Sequence, residues 1–431
     1  MFKKIAVIVP LVLTLPFSVG AKEIVGKVQS AIHMSKVIQY VNPKTKKVDV
    51  IKYDNNTVLV DAESFKDFTI NTKFKAEVDD KGYASQLKRV LVKLPADQLI
   101  DTETLADLLE EGEPVFVGDA RPIGIYNAGH IPTAKATPSN KLADNLGWLP
   151  KDKEALLVFY CGGVTCPLSP AALKIAKQNG YTNAKAYVEG FPAWKGEVYP
   201  AHINADWVKK NLDIHHIILD VRHQPSSFIT GAVHMPASEL ADMHERWNEE
   251  KKPVAKRTIF DLRDKKAPII IVADDEATDE AIEAYEILTF WKFKNVTILA
   301  GGMEKWVINK LPIELGSIST QLVYEKKLVK GAIEEAVFVK AVKQGGATII
   351  DVRNADEVAD GHLKGSINIP LAVLEQNLAK IPKNSSVILH CAAGARASLG
   401  YTLLTKRGYT NITFLNDSFK EVAKENGIEL I

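Results

Sequence analysis

An internal repeat constrains this 431-residue chain more than any other feature of it. Asp119-Ala120-Arg121 is followed by Gly129-His130-Ile131, by Pro138 and by the apolar run Leu156–Tyr160 ending at Cys161. Asp351-Val352-Arg353 is followed by Gly361-His362-Leu363, by Pro370 and by Val387–His390 ending at Cys391. In both copies the Asp lies 10 residues before the Gly-His pair and 19 before the proline, and Asp to Cys spans 42 residues in one and 40 in the other. Gly-Tyr-Thr-Asn then recurs at Gly180–Asn183 and Gly408–Asn411. An eroded copy lies between them, with Asp220-Val221-Arg222, Gly231 to Pro236, the run Ile269–Ala273 and Asp274 where the cysteine should stand. Each copy alternates apolar runs with amphipathic segments, Ser169–Gln178, Thr278–Leu288 and Ala397–Arg407, which predicts βαβ units and a parallel sheet covered on both faces.

The last copy carries the most chemistry. Ser385–His390 reads as a buried strand, Cys391-Ala392-Ala393-Gly394-Ala395 as a tight loop, and Arg396 as the start of a helix. Small residues let backbone N–H groups converge on the sulfur, and the positive end of the helix points to the same place. Arg396 adds a guanidinium able to hydrogen-bond whatever the sulfur carries. A cysteine after an apolar run is also an ordinary core residue, but a core role explains neither the small residues nor the arginine.

This Cys-x-x-Gly-x-Arg loop resembles the active loop of the rhodanese family of sulfurtransferases, and the segments Ile349–Glu357 and Gly361–Pro370 resemble that family's other hallmark. Phosphatases with a similar Cys-to-Arg signature span seven residues to wrap a phosphate. Cys391 to Arg396 spans six, a cradle better suited to a terminal sulfur. The resemblance implies an α/β architecture: three tandem doubly wound parallel-sheet domains, each with its loop at the carboxyl end of a central strand. It also implies that Cys391 attacks the outer sulfur of thiosulfate, a persulfide or a polysulfide and carries it as a persulfide, cradled by Ala392, Ala393, Gly394, Ala395 and Arg396. Asp351 and Arg353 are expected to brace the loop from below, as are Asp119 and Arg121 in the first copy. His390 is expected to point away from the sulfur. No cofactor is implied.

The first copy departs from the pattern. In Cys161-Gly162-Gly163-Val164-Thr165-Cys166 the second cysteine occupies the arginine's place. Three readings stay open: Cys161 carries sulfur, Cys161 and Cys166 form a redox disulfide, or the pair is structural. In the middle copy Asp274 cannot carry sulfane sulfur and Asp275, Glu276 and Asp279 repel anions, so this copy is expected to be silent, with a charged insertion around Glu245–Lys256. Its histidines, His215, His216, His223, His234 and His244, have no i, i+4 metal-ligand spacing, so no metal site is expected.

Composition narrows the partners. With 46% hydrophobic and 25% charged residues and a net charge of +1, the chain is globular in type and offers no field for nucleic acid. Small sulfur-containing anions or persulfides are the expected substrates, with a periplasmic protein as a further candidate acceptor. Residues 1–21 combine Met1-Phe2-Lys3-Lys4, an apolar stretch broken by Pro10 and Pro16, and small residues up to Ala21, which predicts a secretory signal, a periplasmic location and no stable membrane span. Three cysteines are too few for a disulfide framework, and the lack of a Cys-x-x-Cys-His motif excludes covalent haem.

Residues 22–95 are expected to form a small β-barrel-like domain from short Val/Ile/Thr-rich runs, including Lys36–Val41 and Leu87–Leu94, with hairpin turns at Asn42–Lys46 and Asp54–Asn56. His33 and Met34, adjacent on a strand, would face opposite ways and are read as structural. The remaining domains are placed at 96–200, 201–318 and 319–431.

Overall fold

The computed structural model describes residues 22–45, 48–196, 199–250 and 259–431. The expected secretory signal therefore lies outside the described residues, as does the second half of the charged insertion, whose beginning extends the helix Ala237–Glu250. The chain divides into two compact units, one made of residues 1–90 with 335–431, the other of residues 91–334.

In the first unit, six strands, β1 (Lys22–Ile32), β2 (Val37–Val41), β3 (Val48–Lys52), β4 (Val58–Val60), β5 (Lys73–Val78) and β6 (Ala84–Arg89), form one sheet in the order β3-β2-β1-β5-β6-β4. Neighbours are antiparallel except β4 and β6, which run parallel. Alternation along β5 sends Phe74, Ala76 and Val78 inward, where they meet Val28, Ile38, Tyr40, Ile51 and Phe68. Gly26 is required at the centre of β1, because a Cβ there would lie 2.4 Å from the Tyr40 ring.

Three expectations for this region are corrected. His33 and Met34 are not on a strand: β1 ends at Ile32, and His33–Ser35 form a 3-10 turn closed by Lys36 at φ 50°. Asp54–Asn56 is a turn but joins no hairpin, since β4 pairs with β6 and not with β3. The last strand runs Ala84–Arg89, six residues, in place of Leu87–Leu94, because the register of its partner β5 ends at Phe74↔Arg89. Residues 91–94 leave the sheet, and Val92 N–H donates to Val164 O.

Each of the three repeat copies is a parallel sheet. In the first the strand order is Ala184–Tyr187, Leu156–Tyr160, Val115–Asp119, Lys135–Ala136. In the second it is His202–Ile203, Asn295–Leu299, Pro268–Val272, Ile217–Asp220, Val233–His234. In the third, Ile412–Leu415, Val387–His390, Thr348–Asp351 and Ile367–Asn368 lie in the same order. The central strands are apolar, save for His390 at the end of the third, as burial on both faces requires. Residues 319–325, expected to open the third domain, instead run along the second: Ser319 bridges Val233, and Tyr324 hydroxyl donates to Asp264.

Candidate functional site

Cys391 follows directly on the central strand Val387–His390 and precedes the helix Ala395–Lys406, so it stands at the carboxyl edge of the sheet. It is 1% exposed. Gly394 turns the loop into the helix at φ 87°, and a Cβ on it would meet Asn416 at 2.7 Å, so the position accepts only glycine. The twelve-residue helix directs its N-terminal dipole into the loop.

Arg396 is 3% exposed. Its Nη1 and Nη2 donate to the two carboxylate oxygens of Glu357, the Nη2–Oε1 contact being 2.7 Å. The Cys391 sulfur also interacts with this guanidinium. Burial works against the guanidinium charge, but the Glu357 carboxylate and the Cys391 sulfur oppose that and keep its pKa raised. Glu357 in turn is held below the usual carboxylate range, first by Arg396. The loop therefore contains a positive group whose charge is largely compensated and whose direction is fixed. Glu357 went unassigned in the sequence although it lies in the hallmark segment; its spacing of six residues from Asp351 was the available signal.

Beneath the loop, Arg353 Nε donates to both oxygens of Asp351 at 3.0 and 2.9 Å, and its Nη2 reaches Gly361 O at 2.9 Å. Asp351 and Arg353 are buried, and Phe419 stacks under the guanidinium at 4.2 Å. Asn368 Nδ2 closes the bracket by donating to the Asp351 and Arg353 carbonyls at 2.9 Å. Asp351, Arg353 and Asn368 thereby tie the ends of the strands Thr348–Asp351 and Ile367–Asn368 to the turn at Gly361. His390 is fully buried with neither ring nitrogen hydrogen-bonded, its Nε2 3.8 Å from Asp351 Oδ2. Burial pushes its pKa down to about 4.

The first copy repeats the bracket. Arg121 Nε donates to Asp119 at 2.9 and 3.0 Å and its Nη2 to Gly129 O at 2.7 Å. Tyr160, in the register of His390, donates its hydroxyl to Asp119 at 2.7 Å. The loop above differs. Cys161 is 0% exposed, and both it and the half-buried Cys166 are free thiols. Cys161 Sγ lies 3.4 Å from Cys166 O and 3.2 Å from Ser169 Oγ. A hydrogen bond to the Cys166 thiol, then burial, push the Cys161 thiol pKa up.

In the second copy Arg222 keeps its bond to Asp220 at 3.0 Å but turns Nη1 toward Asp274 at 3.4 Å. The acidic loop is thus partly neutralised from within its own domain. Among the described residues no three His, Cys, Asp or Glu gather as metal ligands; His215, His216, His234 and His244 hydrogen-bond to Glu325 O, Asp213, Arg222 O and Trp291.

Three parallel sheets, each bracketed by Asp and Arg beneath a loop at its carboxyl edge, define a tandem array built on one α/β unit. Residues 101–197, 204–309 and 334–425 match the model of the rhodanese-like domain, together well over half of the chain. The chain belongs to the rhodanese family. Among curated proteins it is similar to the HTH-type transcriptional regulator Rv0324 of Mycobacterium tuberculosis, 40% identical over 98 residues, which are 22% of this chain and 42% of the regulator. YqhL of Bacillus subtilis is 34% identical over 23% of this chain and 76% of its own length. The thiosulfate sulfurtransferase PspE of Escherichia coli is 35% identical over 15% of this chain and 62% of its own. The solved thiosulfate sulfurtransferase of Pseudomonas aeruginosa aligns at 17% identity over 75% of this chain and 67% of that one, with a TM-score of 0.23. The family and its sulfurtransferase members support a sulfur-transfer function in general.

Proposed function

We propose that this chain is a periplasmic sulfurtransferase, exported by its first 21 residues, whose principal nucleophile is Cys391. The thiolate attacks the outer sulfur of thiosulfate, a persulfide or a polysulfide, and the remainder of the donor departs with the electron pair of the broken S–S bond. The Cys391 persulfide is held by the loop amides, the helix N-terminus and Arg396 until a thiophilic acceptor removes the outer sulfur. Arg396 carries this reading: a buried guanidinium, fixed in direction by Glu357 and interacting with the Cys391 sulfur, stabilises the negative charge that a bound persulfide brings. The alternative, a thiol-redox or binding scaffold using the same folds, gives no reason to keep an arginine at that sulfur.

The test is thiosulfate:cyanide sulfur transfer with mass spectrometry of donor-treated protein. Cys391→Ser is expected to remove most turnover, and the wild-type chain to gain one sulfur atom on Cys391. Full activity in Cys391→Ser would overturn the assignment. Export is tested by fractionating cells that express the full chain; retention in the cytoplasm, with residues 1–21 uncleaved, would overturn the location.

A further inference from the structure

The first and third domains differ at both ends of one ion pair. Where the third has Glu357 and Arg396, the first has Ile125 and Cys166, each at the same spacing from its Asp or loop cysteine. Ile123 and Ile125 are 51% and 52% exposed. The cation that would attract an anionic donor is gone together with its counter-ion. The one arginine in residues 96–200, Arg121, is committed to Asp119 and Gly129 O.

The two thiols of this loop are also unequal. Cys161 is fully buried, with its Sγ within hydrogen-bonding reach of Cys166 O and Ser169 Oγ, so it is held as a protonated thiol. Cys166 is half-buried, hydrogen-bonded to Cys161, and immediately precedes the eleven-residue helix Leu168–Gln178 across Pro167. Of the two thiols Cys166 alone reaches the surface, beside the start of that helix, so it is the one an incoming donor meets. This reverses the order of the family loop, in which the cysteine ending the strand is the first nucleophile.

We propose that Cys166 and Cys161 form a dithiol that reduces sulfane sulfur to hydrosulfide, Cys166 taking the sulfur from a neutral persulfide donor and Cys161 displacing it. It rests on the sulfur-transfer reading above and assigns this loop a separate reaction. In the first step Cys166–SH and R–S–SH give Cys166–S–SH and R–SH. In the second, the Cys161 sulfur attacks the inner sulfur of that persulfide, the S–S bond breaks, and the outer sulfur leaves as hydrosulfide with the proton Cys161 gave up. The products are a Cys161–Cys166 disulfide and hydrogen sulfide: both cysteine sulfurs are oxidised and the sulfane sulfur is reduced. A dithiol reductant restores the pair by thiol–disulfide exchange. Ser169 Oγ, 3.2 Å from Cys161 Sγ, holds the attacking sulfur in place by its hydrogen bond.

The experiment treats the full chain anaerobically with cysteine persulfide, measures hydrosulfide and maps each cysteine by mass spectrometry. Wild-type protein is expected to form the Cys161–Cys166 disulfide with one hydrosulfide released per disulfide. Cys161→Ser is expected to trap an added sulfur on Cys166, and Cys166→Ser to leave Cys161 unmodified. A stable persulfide on Cys161, in the wild type or in Cys166→Ser, overturns the proposal, as does a disulfide formed without hydrosulfide. Cys391 serves as the internal reference. Sulfur on Cys391 with the first loop unchanged sinks this proposal alone, whereas no sulfur on any cysteine sinks both readings.

Discussion

Both terminal nitrogens of Arg396 are committed to Glu357, so the guanidinium acts on the Cys391 sulfur from a fixed position. Removing Glu357 leaves a buried, uncompensated charge, and Glu357→Ala is expected to cost about 2 kcal/mol, below the usual range for breaking buried pairs because the carboxylate is partly exposed. The folded-state pKa of Glu357 lies below its ordinary value of 4.5, so its contribution is complete above that value and is lost as pH falls through the depressed pKa. Urea unfolding of both chains at neutral and acid pH is expected to show the gap closing as pH falls. A gap that stays constant with pH would mean that packing, not charge, is lost. Cys391 and Arg396 were legible because both lie in one short motif. Glu357 was not assigned because its partner lies 39 residues away, and only packing of the helix Ala395–Lys406 beside Ala355–Ala359 brings them together.

At the scale of elements, the helix starts after the last long strands press on the loops. Gly190 opens the helix Gly190–Gly196 at φ 65°, and a Cβ there would lie 2.4 Å from Cys161 O. Gly190→Ala is expected to cost about 2 kcal/mol and to displace the Cys161 loop. Its readout is thiol-labelling rate: faster modification of Cys161 than in the wild type is expected, and an unchanged rate would show that the loop is held from elsewhere. The strands and helices of the repeat were readable because burial on both faces leaves uninterrupted apolar runs. The turn at His33–Ser35 was not: β-branched and aromatic runs on either side resemble one long strand, and the break is set by the β1–β2 register, which puts Ile32 opposite Val37.

At the scale of the whole molecule, three buried histidines tie acid stability to the domains. His130 and His202 exchange backbone hydrogen bonds at 2.9 Å with rings 6.2 Å apart, joining the first domain to the second, and His390 lies in the third. Burial holds each at about 4, below the ordinary 6.5. Folded-state pKa values below the unfolded ones mean that stability is full above 6.5 and declines as pH falls toward 4, by an upper bound on the order of 3 kcal/mol per histidine. Thermal unfolding followed from pH 7.5 to 4 is expected to show Tm falling across that window, and His390→Phe to flatten its share; an unchanged slope in that variant would remove His390 from the account.

The amino-acid sequence by itself determined the repeat, the three parallel sheets, the Asp–Arg brackets and the cysteines at the strand ends, because each depends on local periodicity or a short motif. The tertiary structure decided the rest. It set Glu357 against Arg396 and hydrogen-bonded Cys161 to Cys166. It also put the N-terminal sheet beside the third domain, with Asn354 Nδ2 donating to Met34 O at 3.1 Å and Lys406 3.2 Å from Asp49. Those contacts join residues 320 and 357 positions apart. Exposed polar groups at such separations leave no pattern along a chain, since any of many surface residues could meet them, and the choice is made only when the apolar faces of folded domains come together.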